Sequence, residues 1–212
     1  MNKKIAQYSA LAVAVAAVLP IACKKDKTPT NSTDDPNITV RNLNLTVSDV
    51  DPTKRLSGPA ATQSFIDIDN NGVNDFSAIV YYYKYDTNNI DLYSAIIDES
   101  SDTSNKVTSY FVSGDIPMVR AKTTSQIMES TTPAYYVGYT ALYAKYNGDV
   151  TYNFQNEFKG KGDKYVGVKF KIGSQFHYGW MKINLSTDGK SLNIIDVAYD
   201  NRANTPITIG AR

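Results

Sequence analysis

The sequence predicts an all-β protein, an antiparallel β-sandwich with a partly open β-barrel as the alternative. Three observations predict this class. Apolar and polar residues alternate in short runs, which is the pattern of strands with one buried face. Turn-forming Asn, Asp and Gly residues separate these runs at short intervals. The 212 residues include 16 Tyr but only three Glu, so strand formers outnumber helix formers.

The N-terminal residues predict a secretory signal peptide over residues 1–22. Lys3 and Lys4 precede an apolar run at residues 5–19, and the small residue Ala22 comes directly before Cys23. The run is rich in Ala and shorter than the ~20 residues that span a bilayer. A cleaved signal is therefore favoured over a permanent transmembrane helix.

Cys23 is the predicted lipid anchor. Residues 19–23 (LPIAC) resemble the lipobox of bacterial lipoproteins, although Pro20 departs from its usual pattern. Cys23 is the only cysteine, so it has no partner for an internal disulfide, and acylation explains its presence in an exported chain. Several acyl chains on one residue anchor a protein stably. We expect a lipid-anchored protein of the cell envelope, at the outer membrane. The alternative is an ordinary signal peptide that ends near a cysteine.

The mature chain is expected to consist of a tether and one domain. Residues 23–37 are polar and predict a flexible tether, and residues 38–212 predict the β-domain. Removal of the signal peptide takes away Lys3 and Lys4 and lowers the net charge from +1 to −1. This balance gives no basic footprint for nucleic acid.

The strands of the domain are predicted from alternation and turn signals. The first covers residues 38–47, with a bulge around Arg41 and Asn42, and a short helix is expected at residues 126–130. Asn147-Gly148 predicts a hairpin that returns through residues 152–154. The other predicted strands are residues 64–68, 76–85, 92–97, 107–112, 135–146, 165–172, 176–185 and 192–199, the last three as an antiparallel meander.

Three segments carry a resemblance to known exported proteins. Residues 165–170 (YVGVKF), 177–183 (HYGWMKI) and 195–199 (IDVAY) resemble the C-terminal part of a group that includes Bacteroidota lipoproteins and ectodomains of some PEP-CTERM-sorted proteins. Members of this group also carry an Asp-rich loop followed by Asp-Phe, as residues 67–76 do here. The resemblance covers about half of the mature chain. It implies a β-rich exported domain in the envelope and no particular activity.

Residues 67–75 (DIDNNGVND) have the spacing of a calcium-binding loop. Oxygen ligands at alternate positions, with a Gly at the sharp turn, can surround a hard cation. Position twelve is Ala78 instead of the bidentate Glu of an EF-hand, so the loop is closer to strand-flanked calcium loops, with an expected affinity of ~10⁻⁴ to 10⁻³ M. The alternative is an Asx-rich turn without metal. The expected ligands are Asp67, Asp69, Asn71, the carbonyl of Val73, and Asp75.

The sequence gives no reason to expect catalysis. His177 is the only histidine, so neither a zinc site with two histidines nor a triad with a spare thiol can be assembled. A structural role in the sheet is the favoured interpretation of His177. A pair of carboxylates of the glycosidase type remains an alternative, but Glu99, Glu129 and Glu157 are scattered.

Tyrosines in the strand at residues 76–85 form a candidate binding face. Tyr81, Tyr83 and Tyr85 share one side of this strand and would stack on a sugar or a partner protein if that side is open. The alternative is that Tyr is simply a good strand residue. We therefore expect a non-catalytic envelope module that binds glycan or protein. A structural lipoprotein of a surface assembly and a carboxylate-dependent hydrolase are the alternatives.

Overall fold

The computed structural model of the chain describes residues 30–31, 35–48, 60–85, 90–99, 104–112, 116–132, 134–135, 140–147 and 157–212. These residues contain fourteen β-strands and no α-helix. The strands are β1 Thr30–Asn31, β2 Ile38–Ser48, β3 Ala60–Ile66, β4 Phe76–Tyr85, β5 Ile90–Glu99, β6 Lys106–Val112, β7 Ile116–Val119, β8 Ile127–Met128, β9 Ala134–Tyr135, β10 Thr140–Asn147, β11 Asp163–Ile172, β12 Gln175–Leu185, β13 Ser191–Asp200 and β14 Ile207–Thr208.

Twelve of these strands form one mixed sheet in the order β1-β2-β13-β12-β11-β6-β7-β10-β5-β4-β3, with β9 also paired to β6. All pairs are antiparallel except β7 with β10. Strand β6 belongs to both halves of the sheet, because Lys106 and Val107 pair with β11 whereas residues 109–112 pair with β7. The predicted all-β class is confirmed, and the nearly closed sheet is consistent with a sandwich or a partly open barrel.

The main core lies between the two halves of the sheet. On β11 the inward positions Val166, Val168 and Phe170 are fully buried, as their alternation with Lys169 and Lys171 predicts. They share one buried cluster with residues from β4 and β5 in the opposite half, among them Phe76, Ala78, Val80, Ala95 and Ile97. Burying the apolar faces of both halves against each other is the main stabilising contribution to this fold.

A second apolar cluster covers the outer face of the β2-β13-β12-β11 half. Ile207 and Ile209 from the C-terminal segment pack over Val40, Tyr178 and Trp180. The segment is held by the β8–β14 pair and by the amide of Ile209, which donates to the carbonyl of Gln126 at 2.8 Å. This half of the sheet is therefore buried on both faces. For this reason the outward positions of β12 also carry large apolar side chains, Tyr178 and Trp180.

The C-terminal meander is confirmed. Strands β11, β12 and β13 pair antiparallel in sequence order, and the turns contain Gly173 (φ 61°) and Gly189 (φ 78°), left-handed conformations that favour glycine. Gly179 has a different reason, since a Cβ atom there would collide with the backbone carbonyl of Ala198.

Several local predictions change. The helix expected at residues 126–130 is wrong: Ile127–Met128 is a short strand that pairs with β14, so tertiary pairing decides its conformation. Strand β3 begins at Ala60, before the expected position 64. The bulge in β2 lies between Asn42 and Leu45, where Asn44 has a φ of 45°.

The N-terminal and hairpin predictions meet the described residues only in part. Thr30–Asn31, inside the range predicted as a tether, pairs with Val40 and Thr39 of β2. The signal peptide, Cys23 and the return strand at residues 152–154 lie outside the described residues. Among the residues that are described, no helix is long and apolar enough to span a membrane.

Candidate functional site: an acidic loop between β3 and β4

The Asp-rich segment forms the connection between β3 and β4. The amide of Asp75 donates to the carbonyl of Ile66 at 2.9 Å and closes the loop where the two strands meet. Asn70 (φ 62°) and Gly72 (φ 88°) adopt left-handed conformations, which Asn and Gly tolerate best. The loop is therefore a sharp turn of the type that its Asn-Asn-Gly sequence predicts.

The turn brings three carboxylates together. Asp67, Asp69 and Asp75 each offer an oxygen, and these oxygens lie within 4.8 Å of one another. Two ligands at 2.3–2.6 Å from one calcium ion can be at most about 5 Å apart, so the cluster has the dimensions of a calcium site. Asp67 and Asp69 are half-buried, whereas Asp75 is only 4% exposed.

Backbone amides donate to all three carboxylates, and Asp69 accepts from the amide of Asn71 at 3.2 Å. Asp67 accepts from the amide of Gly72 at 2.8 Å and from that of Asn71 at 3.2 Å. Asp75 accepts from the amide of Ile68 at 2.7 Å. Because these donors are fixed by the turn, they hold the carboxylates in their convergent positions.

Asn71 and Val73 lie in the exposed part of the loop. The side-chain oxygen of Asn71 accepts from the amide of Val73 at 2.7 Å, and its nitrogen donates to Asp69 at 2.9 Å. The side chain of Val73 is 55% exposed at the tip of the loop. Of the five predicted ligands, the structure therefore brings the three carboxylates together, while the oxygen of Asn71 is engaged within the turn.

Burial and neighbouring negative charges make Asp75 and Asp69 costly to ionise. Burial raises the pKa of Asp75 to about 7, and the charges of Asp69 and Asp67 raise it as well, against the opposing effects of the Ile68 amide and Arg41. Burial also raises the pKa of Asp69, as do its hydrogen bond with Asp67 and the charge of Asp67. A cation placed among the three groups would favour their ionised forms.

Arg41 is the main site residue that sequence reasoning missed. It comes from β2, at the opposite end of the sheet order, and is buried. Its guanidinium donates to the carbonyls of Asp67 and Ile68, the latter at 2.9 Å, and to the side-chain oxygen of Asn70 at 3.2 Å. The loop is thereby attached to β2, and no local sequence signal connects residues 26 positions apart.

His177 has the structural role that was favoured. It is buried on the core side of β12, and its Nδ1 lies 2.9 Å from the carbonyl oxygen of Asp200. Its ring neighbours are Phe170 and Tyr199, with centroids at 6.2 and 6.3 Å. These contacts place His177 within a packed aromatic cluster.

The structure describes the tyrosine face incompletely. Tyr82 is buried on the core side of β4, so Tyr81 belongs to the opposite side, as the alternation predicts. Tyr81 is half-buried there, and Ile79 on the same side is buried. The side chains of Tyr83 and Tyr85 lie outside the described residues.

An open groove beside the C-terminal segment contains two arginines that the sequence did not single out. The groove has a volume of about 380 Å³ and is lined by Arg202 and Arg212. Arg202 binds Asp200 through two hydrogen bonds of 2.9 and 2.6 Å, and Arg212 binds Asp196 at 2.7 Å. Each arginine is thus paired with a buried carboxylate, and both fasten the C-terminal segment to β13.

The comparisons with known proteins leave the site to be interpreted from its own chemistry. No family model, no curated protein and no solved structure matches this chain.

Proposed function

We propose that this protein is an exported, non-catalytic binding module of the cell envelope, anchored through acylated Cys23 and stabilised by calcium in the loop between β3 and β4. The signal-like N-terminus and the single cysteine support the anchor. The resemblance of residues 165–199 to Bacteroidota-type lipoproteins supports the location. The proposed partners are a glycan or an envelope protein.

The observation that carries the calcium proposal is the convergence of Asp67, Asp69 and Asp75 within 4.8 Å. Hard cations take oxygen ligands, and these carboxylates supply three of the six to eight ligands that calcium takes. Water and loop carbonyls would supply the others. The ion would offset the repulsion that raises the pKa of Asp75 and Asp69.

Calcium in this position would fasten the β3–β4 hairpin and leave the chemistry of recognition to the neighbouring strands and loops. With an affinity of ~10⁻⁴ to 10⁻³ M, the site would be filled at extracellular calcium concentrations and empty in the cytoplasm. The ion would therefore bind only after export. This agrees with the proposed location of the domain.

Thermal unfolding tests the calcium proposal. At a calcium concentration ten to a hundred times the dissociation constant, the expected gain is about 1.4 to 2.7 kcal/mol, which raises Tm by roughly 3 to 10 °C. Asp69→Asn should abolish this rise, because Asp69 lies in the cluster and its backbone contacts are few. Asp188→Asn, in the exposed turn between β12 and β13, is the matched control and should retain it. A Tm that does not respond to calcium in the unsubstituted protein would contradict the proposal.

Recognition by the tyrosine face has a separate test. Tyr83 lies opposite Leu92 in the β4–β5 register. Binding to a glycan array that is lost on Tyr83→Ala would support a sugar-binding face. Binding that survives this substitution would place recognition elsewhere on the domain.

A further inference from the structure

The open groove beside the C-terminal segment has the construction of a small-ligand site. Its volume of about 380 Å³ is at the lower end of the range of ~300 to 1,000 Å³ that ligand pockets have. Ile38 and Ile207, both buried, and the exposed Pro206 form its apolar lining. Its polar lining consists of Asp35, Asp200, Arg202, Thr208 and Arg212. Small-ligand sites combine an apolar surface with a few polar groups in the same way.

Buried carboxylates hold both arginines of the groove in place. Asp200 is 1% exposed and accepts from the backbone amide of Arg202 at 2.8 Å, as well as from Nε and Nη2 of its side chain. Asp196 is also buried and accepts from Nη2 of Arg212 at 2.7 Å. These contacts position the two guanidinium groups before a ligand arrives, which reduces the entropy cost of binding.

The same arginines keep hydrogen-bond donors in reserve. A guanidinium group has five N–H bonds. Within the part of the chain that the structure describes, Nη1 of Arg202 and both Nε and Nη1 of Arg212 have no acceptor. The side chains of Arg202 and Arg212 are 50% and 53% exposed. The groove therefore offers donors that are both positioned and accessible.

Hydrogen-bond acceptors line the groove as well. Oδ1 of Asp35 accepts from the backbone and side-chain nitrogens of Asn37 at 2.9 and 3.0 Å, whereas Oδ2 lies 3.6 Å from Nη2 of Arg202, beyond hydrogen-bond distance. Thr208 is exposed on β14, and its hydroxyl can both donate and accept. A ligand whose own groups donate and accept would use both kinds of partner.

The charges of the groove favour a neutral ligand. Two aspartates, Asp35 and Asp200, and two arginines line it, so the charged side chains balance. An anionic ligand would meet no net positive charge and would compete with buried carboxylates for the guanidinium groups. A neutral ligand with hydroxyls can use the spare donors without breaking either ion pair. A sugar has these properties, since its hydroxyls donate and accept while the C–H groups of its ring pack on apolar side chains.

We infer that this groove is the site at which the protein binds a neutral sugar. The hydroxyls of the sugar bind Arg202, Arg212 and Asp35, and its ring packs against Pro206. This inference rests on the proposed binding of a glycan, and it assigns that binding to the groove instead of the tyrosine face.

A substitution that fills the groove tests the site. The full-length acylated protein in detergent is applied to an array of neutral and acidic glycans, and the neutral glycan that binds most strongly is titrated calorimetrically. Thr208→Tyr puts a large side chain into a small groove and should raise the dissociation constant at least about tenfold. Thr46→Tyr is the matched control, because Thr46 is an exposed strand residue roughly 25 Å along β2 from Ile38, and it should bind as wild type does. Equal Tm values show that both variants fold.

A conservative substitution separates the hydrogen bonds from the shape of the groove. Arg212→Lys keeps a positive charge beside Asp196 and removes the spare guanidinium donors. The dissociation constant for the same glycan should rise about two- to tenfold, which is the effect of about one hydrogen bond. Arg120→Lys, an exposed arginine that does not line the groove, should leave the constant unchanged.

Three results would overturn the inference. The first is binding of a neutral glycan that Thr208→Tyr leaves intact; if Tyr83→Ala abolishes that binding, the proposed glycan binding stands and the tyrosine face carries it. The second is binding confined to acidic glycans, which contradicts a neutral ligand. The third is no binding to any glycan, which removes glycan from the proposed partners as well, while the calcium proposal keeps its own test.

Discussion

Asp75 offers the most quantitative test of the acidic loop, because its carboxyl is buried and its neighbours are charged. Its pKa is about 7 in the folded protein, against an ordinary value of 3.8, and burial is the largest cause. Asp75→Asn keeps an oxygen that can accept from the amide of Ile68 and removes the charge. The substitution therefore isolates the cost of ionising this group inside the fold.

The sign and size of the effect follow from proton linkage. The folded state holds its proton more tightly than the unfolded chain, so stability is greatest below pH 3.8 and falls as the pH rises towards 7. One pKa unit corresponds to about 1.4 kcal/mol, so a shift of about three units costs about 4 kcal/mol above pH 7. Between pH 5 and pH 8, wild type should lose about 3 kcal/mol relative to Asp75→Asn when no metal ion is present.

Urea unfolding at pH 5 and pH 8 in a chelating buffer measures this difference. Asp188→Asn is the control. The Ser186 hydroxyl and the Lys190 amide lower the pKa of Asp188, so its carboxyl is ionised in both the folded and the unfolded state from pH 5 to pH 8. The difference in stability between wild type and Asp188→Asn should therefore not change with pH. If wild type instead becomes more stable than Asp75→Asn as the pH rises, the carboxylate is stabilised by Arg41 more than burial penalises it, and the reasoning is refuted.

Three further predictions concern the framework of the domain. Gly179→Ala should destabilise the protein by about 3 kcal/mol because the new methyl group meets backbone, whereas Gly167→Ala, which meets mainly side chains, should cost about 1 kcal/mol; chemical denaturation compares them. Arg41→Met should cost about 3 to 5 kcal/mol, since buried loop acceptors lose their donor, and a loss below about 1 kcal/mol would contradict this role. Arg212→Gln should cost at most about 1 kcal/mol, because the Arg212 side chain is half-exposed and Asn42 also donates to Asp196, and should raise hydrogen exchange first in the C-terminal segment.

Alternation predicted the strands best where one face is buried and the other is polar. Strand β4 was predicted with its observed bounds, Phe76–Tyr85, and β11 has its Val and Phe inward and its Lys outward. Period-two alternation and tight turns are local properties, so a sequence displays them directly.

Features that depend on distant contacts could not be predicted in this way. Ile127–Met128 is a strand because β14, some 80 residues later, supplies its partner. Two other features also depend on the topology of the sheet, which local sequence patterns do not reveal. Strand β6 pairs with both halves of the sheet, and Ile207 and Ile209 cover Trp180.

The candidate site shows the same division. Spacing in the sequence predicted the turn and the convergence of Asp67, Asp69 and Asp75, because all three lie in one nine-residue segment. It did not predict Arg41, which reaches the loop from β2, or the engagement of Asn71 within the turn. The geometry of the turn depends on neighbouring residues in the sequence, whereas the electrostatic environment of the site also depends on a residue from a distant strand.

Calorimetric titration of the full chain with calcium at pH 8 tests directly whether the loop between β3 and β4 binds calcium. We expect saturable binding of one ion per chain with a dissociation constant of ~10⁻⁴ to 10⁻³ M, lost in Asp69→Asn and retained in Asp188→Asn. The absence of saturable heat in the unsubstituted protein, or binding that Asp69→Asn leaves intact, would contradict it.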